Sequence, residues 1–173
     1  QEQREKFAAD FVVISDSGMV ANDQPTILYG LKGFTGLEIT VKGPKQDLHS
    51  GLYGGAVRNP IMALVHILAS MKNEAEIITV DGFYNDVIPL SEKERELISK
   101  VEGEDYRQTV GVTETVSEKG YDAKEHTMAR PTFEINGIYG GYQGEGTKTI
   151  IPSSATAKIT CRLVPNQDPE EIQ

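Results

Sequence analysis

The chain has 173 residues, of which 38% are hydrophobic and 25% are charged, and its formal net charge is −9. These values are typical of one globular domain, and the acidic balance argues against nucleic acid or an anionic membrane as a partner. The single cysteine, Cys161, excludes an internal disulfide and a cysteine-rich zinc site. We therefore expect a soluble, cytoplasmic protein that has no membrane-spanning segment.

The beginning of the chain contains one continuous apolar run, Phe11-Val12-Val13-Ile14, which is typical of a strand buried on both faces. Asp16 follows this run, and a carboxylate at the carboxyl end of a strand is well placed for ligand chemistry. Ser15-Asp16-Ser17-Gly18 is also compatible with a simple turn. From the residues alone, both interpretations of Asp16 stay open.

The next two elements are a strand over residues 31–43 and a helix over residues 59–72. Apolar and polar residues alternate along the strand, which ends at Gly43-Pro44 because proline has no N–H for a ladder hydrogen bond. The helix starts at Asn59-Pro60, an N-cap residue followed by proline at the first helical position.

A glycine-rich connection joins this strand to this helix, with the sequence Asp47-Leu48-His49-Ser50-Gly51-Leu52-Tyr53-Gly54-Gly55. A loop held between two regular elements is a suitable place for a functional side chain, and His49 is the candidate. A polar surface loop with an incidental histidine is the alternative that the residues alone leave open.

The rest of the chain predicts two more pairs of elements. We expect a short strand over 76–80, a helix over about 92–102 that starts with the capping box Ser91-x-x-Glu94, a helix over 104–118, and strands over 132–136 and 156–163. Strand pairs with associated helices indicate an α+β fold. The candidate is a ferredoxin-like two-layer sandwich with a four-stranded, mainly antiparallel sheet and helices on one face.

Two other patterns are candidates for functional sites. The glycines of residues 140–149 suggest a P-loop, but Thr147 precedes Lys148 and the extended run Ile150-Ile151-Pro152 follows instead of a helix. These glycines are better suited to a close approach of the backbone to a ligand or a partner chain. His66 is expected to be structural or interfacial, and His126 has no evident partner in the sequence.

Several motifs in a fixed order resemble one known family. The His49 loop, Gly146-Thr147-Lys148-Thr149-Ile150-Ile151-Pro152 and Arg162-Leu163-Val164-Pro165 are similar to the lid, or dimerisation, domain of a di-zinc metallopeptidase family. That family contains carnosinases, aminoacylases and glutamate carboxypeptidases, and the resemblance is strongest to carnosinase-like cytosolic dipeptidases. Ile14-Ser15-Asp16 and the segment Pro25 to Gly30 precede these motifs in the family's order, so the resemblance runs from about residue 11 to 170.

The resemblance implies a role for each of four residues. Asp16 would be a zinc ligand, His49 would stabilise the oxyanion, often in the neighbouring subunit, Arg162 would bind the substrate carboxylate, and Thr149 would add a substrate contact. It also implies a domain division, with 1–30 from a catalytic domain, 31–166 as the lid and 167–173 as the return to the catalytic domain. On the residues alone, a solvated arginine is the favoured interpretation of Arg162.

The resemblance further implies two zinc ions in the full-length enzyme, which would activate a water molecule and polarise the scissile carbonyl, and a homodimer formed through the lid. The three histidines of this chain are scattered and none belongs to a His-x-Asp motif, so a complete zinc site cannot be assembled. We therefore expect the chain by itself to bind no zinc and to hydrolyse no peptide. The alternatives are a stand-alone α+β protein-interaction module and, as a third candidate, a small-molecule sensor domain.

Overall fold

The computed structural model describes residues 4–14, 18–19, 23, 25–101 and 105–173. The chain divides into two compact units, residues 1–30 and residues 31–173. The first unit contains a short 3-10 helix, Arg4–Phe7. The strand predicted over Phe11 to Ile14 is wrong, because these described residues pair with no other segment and their side chains are 78–90% exposed. A strand of this composition is stabilised by neighbours on both faces, which the described part of this unit does not supply.

The second unit contains a three-stranded antiparallel sheet, a small two-stranded sheet and short helices. Its elements in chain order are β1 (Gly33–Lys42), β2 (Leu48–His49), α1 (Ser50–Tyr53), α2 (Pro60–Ser70), α3 (Glu92–Lys100), α4 (Tyr106–Val110), α5 (Ala123–Ala129), β3 (Thr132–Gly140), β4 (Ile150–Ile151), β5 (Ser154–Leu163) and α6 (Pro169–Ile172). The strand order is β1-β5-β3 in the main sheet and β2-β4 in the small one. The predicted α+β class and antiparallel sheet are confirmed.

The expected four-stranded, ferredoxin-like sheet is not confirmed, because the main sheet of the described chain has three strands with β5 at its centre. Residues 76–80, predicted as a strand, form one isolated bridge between Lys72 and Ile78. Glu76 has a positive φ of 59°, and the Thr79 N–H donates to the Met71 carbonyl at 2.8 Å. The segment therefore turns back onto the end of α2, and its backbone groups are used there instead of in the main sheet.

Two predicted helix starts, at Asn59 and at Ser91, are correct, and a third predicted helix is shorter than expected. Asn59 caps α2 by accepting the Ile61 N–H at 2.9 Å, and Ser91 forms the predicted capping box with Glu94 at the start of α3. The helix expected over 104–118 is the five-residue α4, which ends at Gly111 in the left-handed conformation with φ 72°. A left-handed residue at this position is a common helix stop.

The core lies between α2 and one face of the main sheet. The helix packs on β1 and β5, and α6 contacts β1 on the same face, where Thr35 Oγ1 lies 3.4 Å from the Pro169 carbonyl. Burial raises the pKa of the Cys161 thiol to about 11, so this cysteine is a protonated core residue at neutral pH. The buried cluster comprises Leu64, Leu68, Ile78, Phe83, Phe133, Ala155, Ala157, Ile159, Cys161 and Leu163.

A buried ion pair fixes the long connection between α2 and β3. Arg130 donates two hydrogen bonds to the Glu118 carboxylate, at 2.6 and 3.0 Å, and both side chains are less than a tenth exposed. The Arg130 guanidinium lies 4.4 Å from the centroid of the Tyr121 ring and 5.4 Å from that of Tyr84. This charge pair is therefore hydrogen-bonded and enclosed by aromatic rings, as a buried pair must be to be tolerated.

Candidate functional site

The small sheet brings together two loops that are about a hundred residues apart in the sequence. In the β2–β4 ladder, Leu48 lies opposite Ile151 and His49 lies opposite Ile150. The Ser50 N–H extends this contact by donating to the Thr149 carbonyl at 3.1 Å. The structure therefore places His49 and Thr149, two of the predicted site residues, side by side.

The hydrogen bonds of His49 define which ring nitrogen carries the proton. Its Nδ1 accepts the Gly51 N–H at 3.0 Å, and its Nε2 lies 3.1 Å from Thr149 Oγ1. A backbone N–H can only donate, so Nδ1 must accept this hydrogen bond with its lone pair. The neutral ring therefore carries its hydrogen on Nε2. His49 thus presents an N–H donor at the surface, because both His49 and Thr149 are exposed.

Gly51 leaves the space that the His49 imidazole occupies. A Cβ atom at position 51 would lie 2.9 Å from His49 Cε1 and 3.1 Å from its Nδ1, which is closer than side chains approach one another. The absence of a side chain at Gly51 lets the imidazole lie over the N–H that it accepts. His49 also serves as the N-cap of α1 through the same hydrogen bond.

Arg162 lies near the C-terminal end of β5, on the face of the main sheet opposite the core. It is exposed, it pairs with Phe34 of β1 and Thr132 of β3, and its guanidinium carbon is 5.2 Å from the centroid of the Phe34 ring. A cation–π contact leaves the N–H groups of a guanidinium able to donate hydrogen bonds to a ligand. Arg162 is therefore suited to bind a carboxylate or another planar anion.

Positive charge is concentrated near Arg162. Lys32 precedes β1, and its ammonium group donates to the His126 carbonyl at 2.9 Å. Burial, together with the nearby charges of Arg162 and Arg130, lowers the pKa of Lys32 to about 8. Cations this close repel one another, and an anionic ligand group would relieve that repulsion.

The two parts of the candidate site are far apart within one chain. Arg162 lies eight residues along β5 from Ser154, and the β2–β4 ladder lies beyond the Ser154 end. Eight residues of strand span roughly 25 Å at 3.2–3.4 Å per residue. The structure therefore unites His49 with Thr149 and does not bring Arg162 to them.

The described residues contain no group of three or more His, Cys, Asp or Glu side chains that could hold a metal ion. Asp16, the predicted zinc ligand, lies outside the described residues. A single carboxylate does not make a zinc site, which takes at least three protein ligands. The ligands available on the described part of this chain thus do not fit a resident zinc ion.

The contacts of three residues, Asp47, Phe34 and His126, were not predicted from the sequence. Asp47 accepts the Ser153 N–H, Phe34 lies under Arg162, and His126 has two partners, since its Nδ1 accepts the Glu118 N–H at 2.9 Å and its Nε2 lies 3.3 Å from the Pro131 carbonyl. Burial lowers the pKa of His126, which keeps the ring neutral and structural. Of these three residues, only Asp47 could have been noticed in the sequence, because it is a carboxylate two residues before the candidate histidine.

A comparison with protein families decides the family of this chain. Residues 29–173 match the model of the M20 peptidase dimerisation domain. The chain belongs to this family. In the part of this M20 domain that the structure describes, no helix is long and apolar enough to cross a membrane.

Relatives of this M20 domain are named as dipeptidases. The chain is 33% identical over 165 residues to the Cys-Gly metallodipeptidase DUG1 of Saccharomyces cerevisiae, which covers 94% of this chain and 34% of the relative. It is 31% identical over 177 residues to the human Beta-Ala-His dipeptidase, which covers 100% of this chain and 35% of the relative. The chain therefore spans about a third of the length of these relatives.

Solved structures of M20 enzymes contain a similar domain. The metallo-carboxypeptidase Sso-CP2 of Sulfolobus solfataricus matches with a TM-score of 0.78 and 34% identity, over 99% of this chain and 45% of that chain. The dipeptidase Dug1p of S. cerevisiae matches with a TM-score of 0.76 and 32% identity, over 89% of this chain and 33% of that chain.

Proposed function

We propose that this chain is the dimerisation and substrate-capping domain of a zinc-dependent dipeptidase. Two relatives named as dipeptidases, one of them as a metallodipeptidase, support the reaction class. The observation that carries the proposal is the exposed His49–Thr149 pair, in which a ring N–H donor is held beside the β2–β4 ladder. Residues 1–30 would belong to the catalytic domain, 31–166 to the lid and 167–173 to the return of the chain.

His49 would act on the carbonyl oxygen of the scissile peptide bond. Its Nε2–H, which now donates to Thr149 Oγ1, would instead donate to the oxygen that becomes negative in the tetrahedral intermediate. A donor already held in position stabilises developing charge without the cost of being oriented during the reaction. The Thr149 hydroxyl, released from His49, would contact the substrate as well.

Arg162 would bind the carboxylate at the end of the peptide substrate. Two parallel N–H donors of a guanidinium match the two oxygens of a carboxylate. The Phe34 ring supports the guanidinium from one side, and Lys32 adds positive charge. This combination would select peptides that have a free carboxyl terminus.

The distance between these groups supports a site shared by two subunits. A dipeptide spans about 7 Å, whereas the length of β5 from Ser154, near the His49 ladder, to Arg162 is roughly 25 Å. One copy's His49 and Thr149 would therefore act with the other copy's Arg162. Metal ions would be held outside the described residues, by the catalytic domain together with Asp16.

Self-association is the first prediction. We expect the chain to form a twofold dimer through α2 and an exposed sheet edge, because Met62 and Val65 on α2 are 54% and 44% exposed. Val65→Glu should shift sedimentation towards the monomer, whereas Leu97→Glu on α3, at a similarly exposed site, should not. A strict monomer at high concentration would favour the stand-alone interaction module.

The role of Arg162 is the second prediction. In the full-length enzyme, Arg162→Ala should lower kcat/KM by about 10- to 100-fold, mainly through KM, because a charged hydrogen-bonding partner of the substrate is lost in both ground and transition states. The matched control is Lys158→Ala, which removes an exposed cation from the same strand and face.

A substrate change makes this test specific. A dipeptide with a C-terminal amide should be a poor substrate for the wild type and should lose little more with Arg162→Ala, because both changes remove the same contact. A variant that still prefers the free carboxylate would show that Arg162 does not bind it.

A further inference from the structure

The His49 ladder and the main sheet are joined by a change of register. The β1–β5 pairing ends with Lys42 opposite Ser154, and the β2–β4 pairing starts with Leu48 opposite Ile151. Between these two pairs the first segment advances six positions, from Lys42 to Leu48, and the segment opposite it covers three, from Ser154 back to Ile151. Three extra residues are therefore accommodated on the side that leads to His49.

This register step determines the neighbour of His49. If the β1–β5 register continued unchanged, His49 would lie opposite Thr147, whereas in the structure it lies opposite Ile150. The contact between His49 Nε2 and Thr149 Oγ1 thus depends on the step being held.

Two hydrogen bonds to Ser153 span the step. The Gly43 N–H donates to the Ser153 carbonyl, and the Ser153 N–H donates to Asp47 Oδ1, both at 2.8 Å. Pro152 has no N–H, so Ser153 supplies the donor between β4 and β5. The Asp47 side chain takes the position that a backbone carbonyl would have in an unbroken ladder.

We infer that Asp47 is a positioning residue, whose carboxylate oxygen holds the register step and so aligns His49 with Thr149. The bond joins residues 106 positions apart and closes the segment that begins at Gly43. The catalytic consequence of this alignment rests on the proposed function of His49. The alignment itself does not, and it can be measured separately.

Asp47 acts here through an acceptor atom and not through its charge, so a conservative variant exists. Asparagine has the same oxygen at the Oδ1 position and can accept the Ser153 N–H, whereas alanine cannot. Asp47→Asn should therefore behave like the wild type, and Asp47→Ala should not. Asp47 is exposed, so neither change disturbs the core.

Amide hydrogen exchange of the chain tests the alignment. In Asp47→Ala, the amides of Ser50 and Gly51, which donate to Thr149 and to His49, should exchange roughly tenfold faster. They should be unchanged in Asp47→Asn and in Asp105→Ala, a control that removes another exposed carboxylate–backbone bond. Equal exchange in Asp47→Ala and wild type, or failure of asparagine to preserve protection, would overturn the inference.

Kinetics of the full-length enzyme test the consequence. Asp47→Ala should lower kcat by about 10- to 100-fold with little change in KM, because a misplaced catalytic group loses rate more than binding. In a His49→Ala background, Asp47→Ala should have no further effect, and an undiminished further loss would show that Asp47 does not act through His49. If His49→Ala alone is harmless, the proposed function fails, while the exchange experiment still decides the role of Asp47.

Discussion

Replacing His49 with alanine in the full-length enzyme is expected to lower kcat by about 10²- to 10³-fold, the loss typical of removing one oxyanion donor. Folding should be nearly unaffected, because His49 is exposed and its ring contacts only the loop that carries it and Thr149 among the contacts described. Steady-state kinetics and thermal unfolding measure the two effects. A lowered melting temperature with near-normal activity of the folded fraction would assign His49 a structural role.

Hybrid dimers separate action within a subunit from action across the interface. One subunit carries His49→Ala, and the other carries Asp16→Ala, which must first be shown to inactivate the homodimer. If His49 acts on the partner's site, the first subunit's intact metal site receives the second subunit's histidine, and about half of the normal activity is expected.

The converse hybrid places both changes on one subunit and pairs it with wild type. Action across the interface predicts almost no activity, because the intact metal site then faces the altered histidine. Action within a subunit leaves the wild-type subunit complete and predicts about half of the normal activity. Half activity in this second hybrid, with none in the first, would refute the shared site.

Replacing Glu118 with glutamine is expected to destabilise the domain by about 3–5 kcal/mol, because Arg130 then remains as a buried charge without its counterion. Both side chains of the pair are less than a tenth exposed, and the two rings over Arg130 offer no carboxylate in exchange. Urea unfolding followed by circular dichroism measures the change in the free energy of unfolding.

The chain contains a matched control for this prediction. Glu96 and Lys100 form an ion pair of 2.5 Å with both side chains 64% exposed, and Glu96→Gln should change stability by less than about 0.5 kcal/mol. Exchanging both buried partners, as Glu118→Leu with Arg130→Met, should cost less than Glu118→Gln alone, because no charge is left unpaired. Equal effects at the buried and exposed pairs would contradict the role assigned to burial.

The starts of α2 and α3 and the identity of the family could be predicted from the sequence because both depend on short, contiguous patterns. Asn59-Pro60 and Ser91-x-x-Glu94 cap α2 and α3 as predicted, since a cap satisfies backbone groups within four residues of itself. The motifs around His49, Thr149 and Arg162 are each a few adjacent residues long, and the M20 family that they indicate is confirmed over residues 29–173. The roles of these three residues remain proposals.

Tertiary structure decided the features in which distant segments compete for the same partners. Residues 76–80 have the composition of a strand, but their hydrogen bonds are used at the end of α2, and the main sheet has three strands. The apolar run from Phe11 to Ile14 has strand character and lies exposed.

The alignment of His49 with Thr149 has the same origin. Alternation of side chains shows which face of a strand is apolar, but it does not reveal the partner strand or the register. Here the register depends on a three-residue step and on the Asp47–Ser153 hydrogen bond across 106 positions. The sequence by itself therefore determined the caps of α2 and α3 and the family, whereas only the folded chain determined which of its distant residues meet.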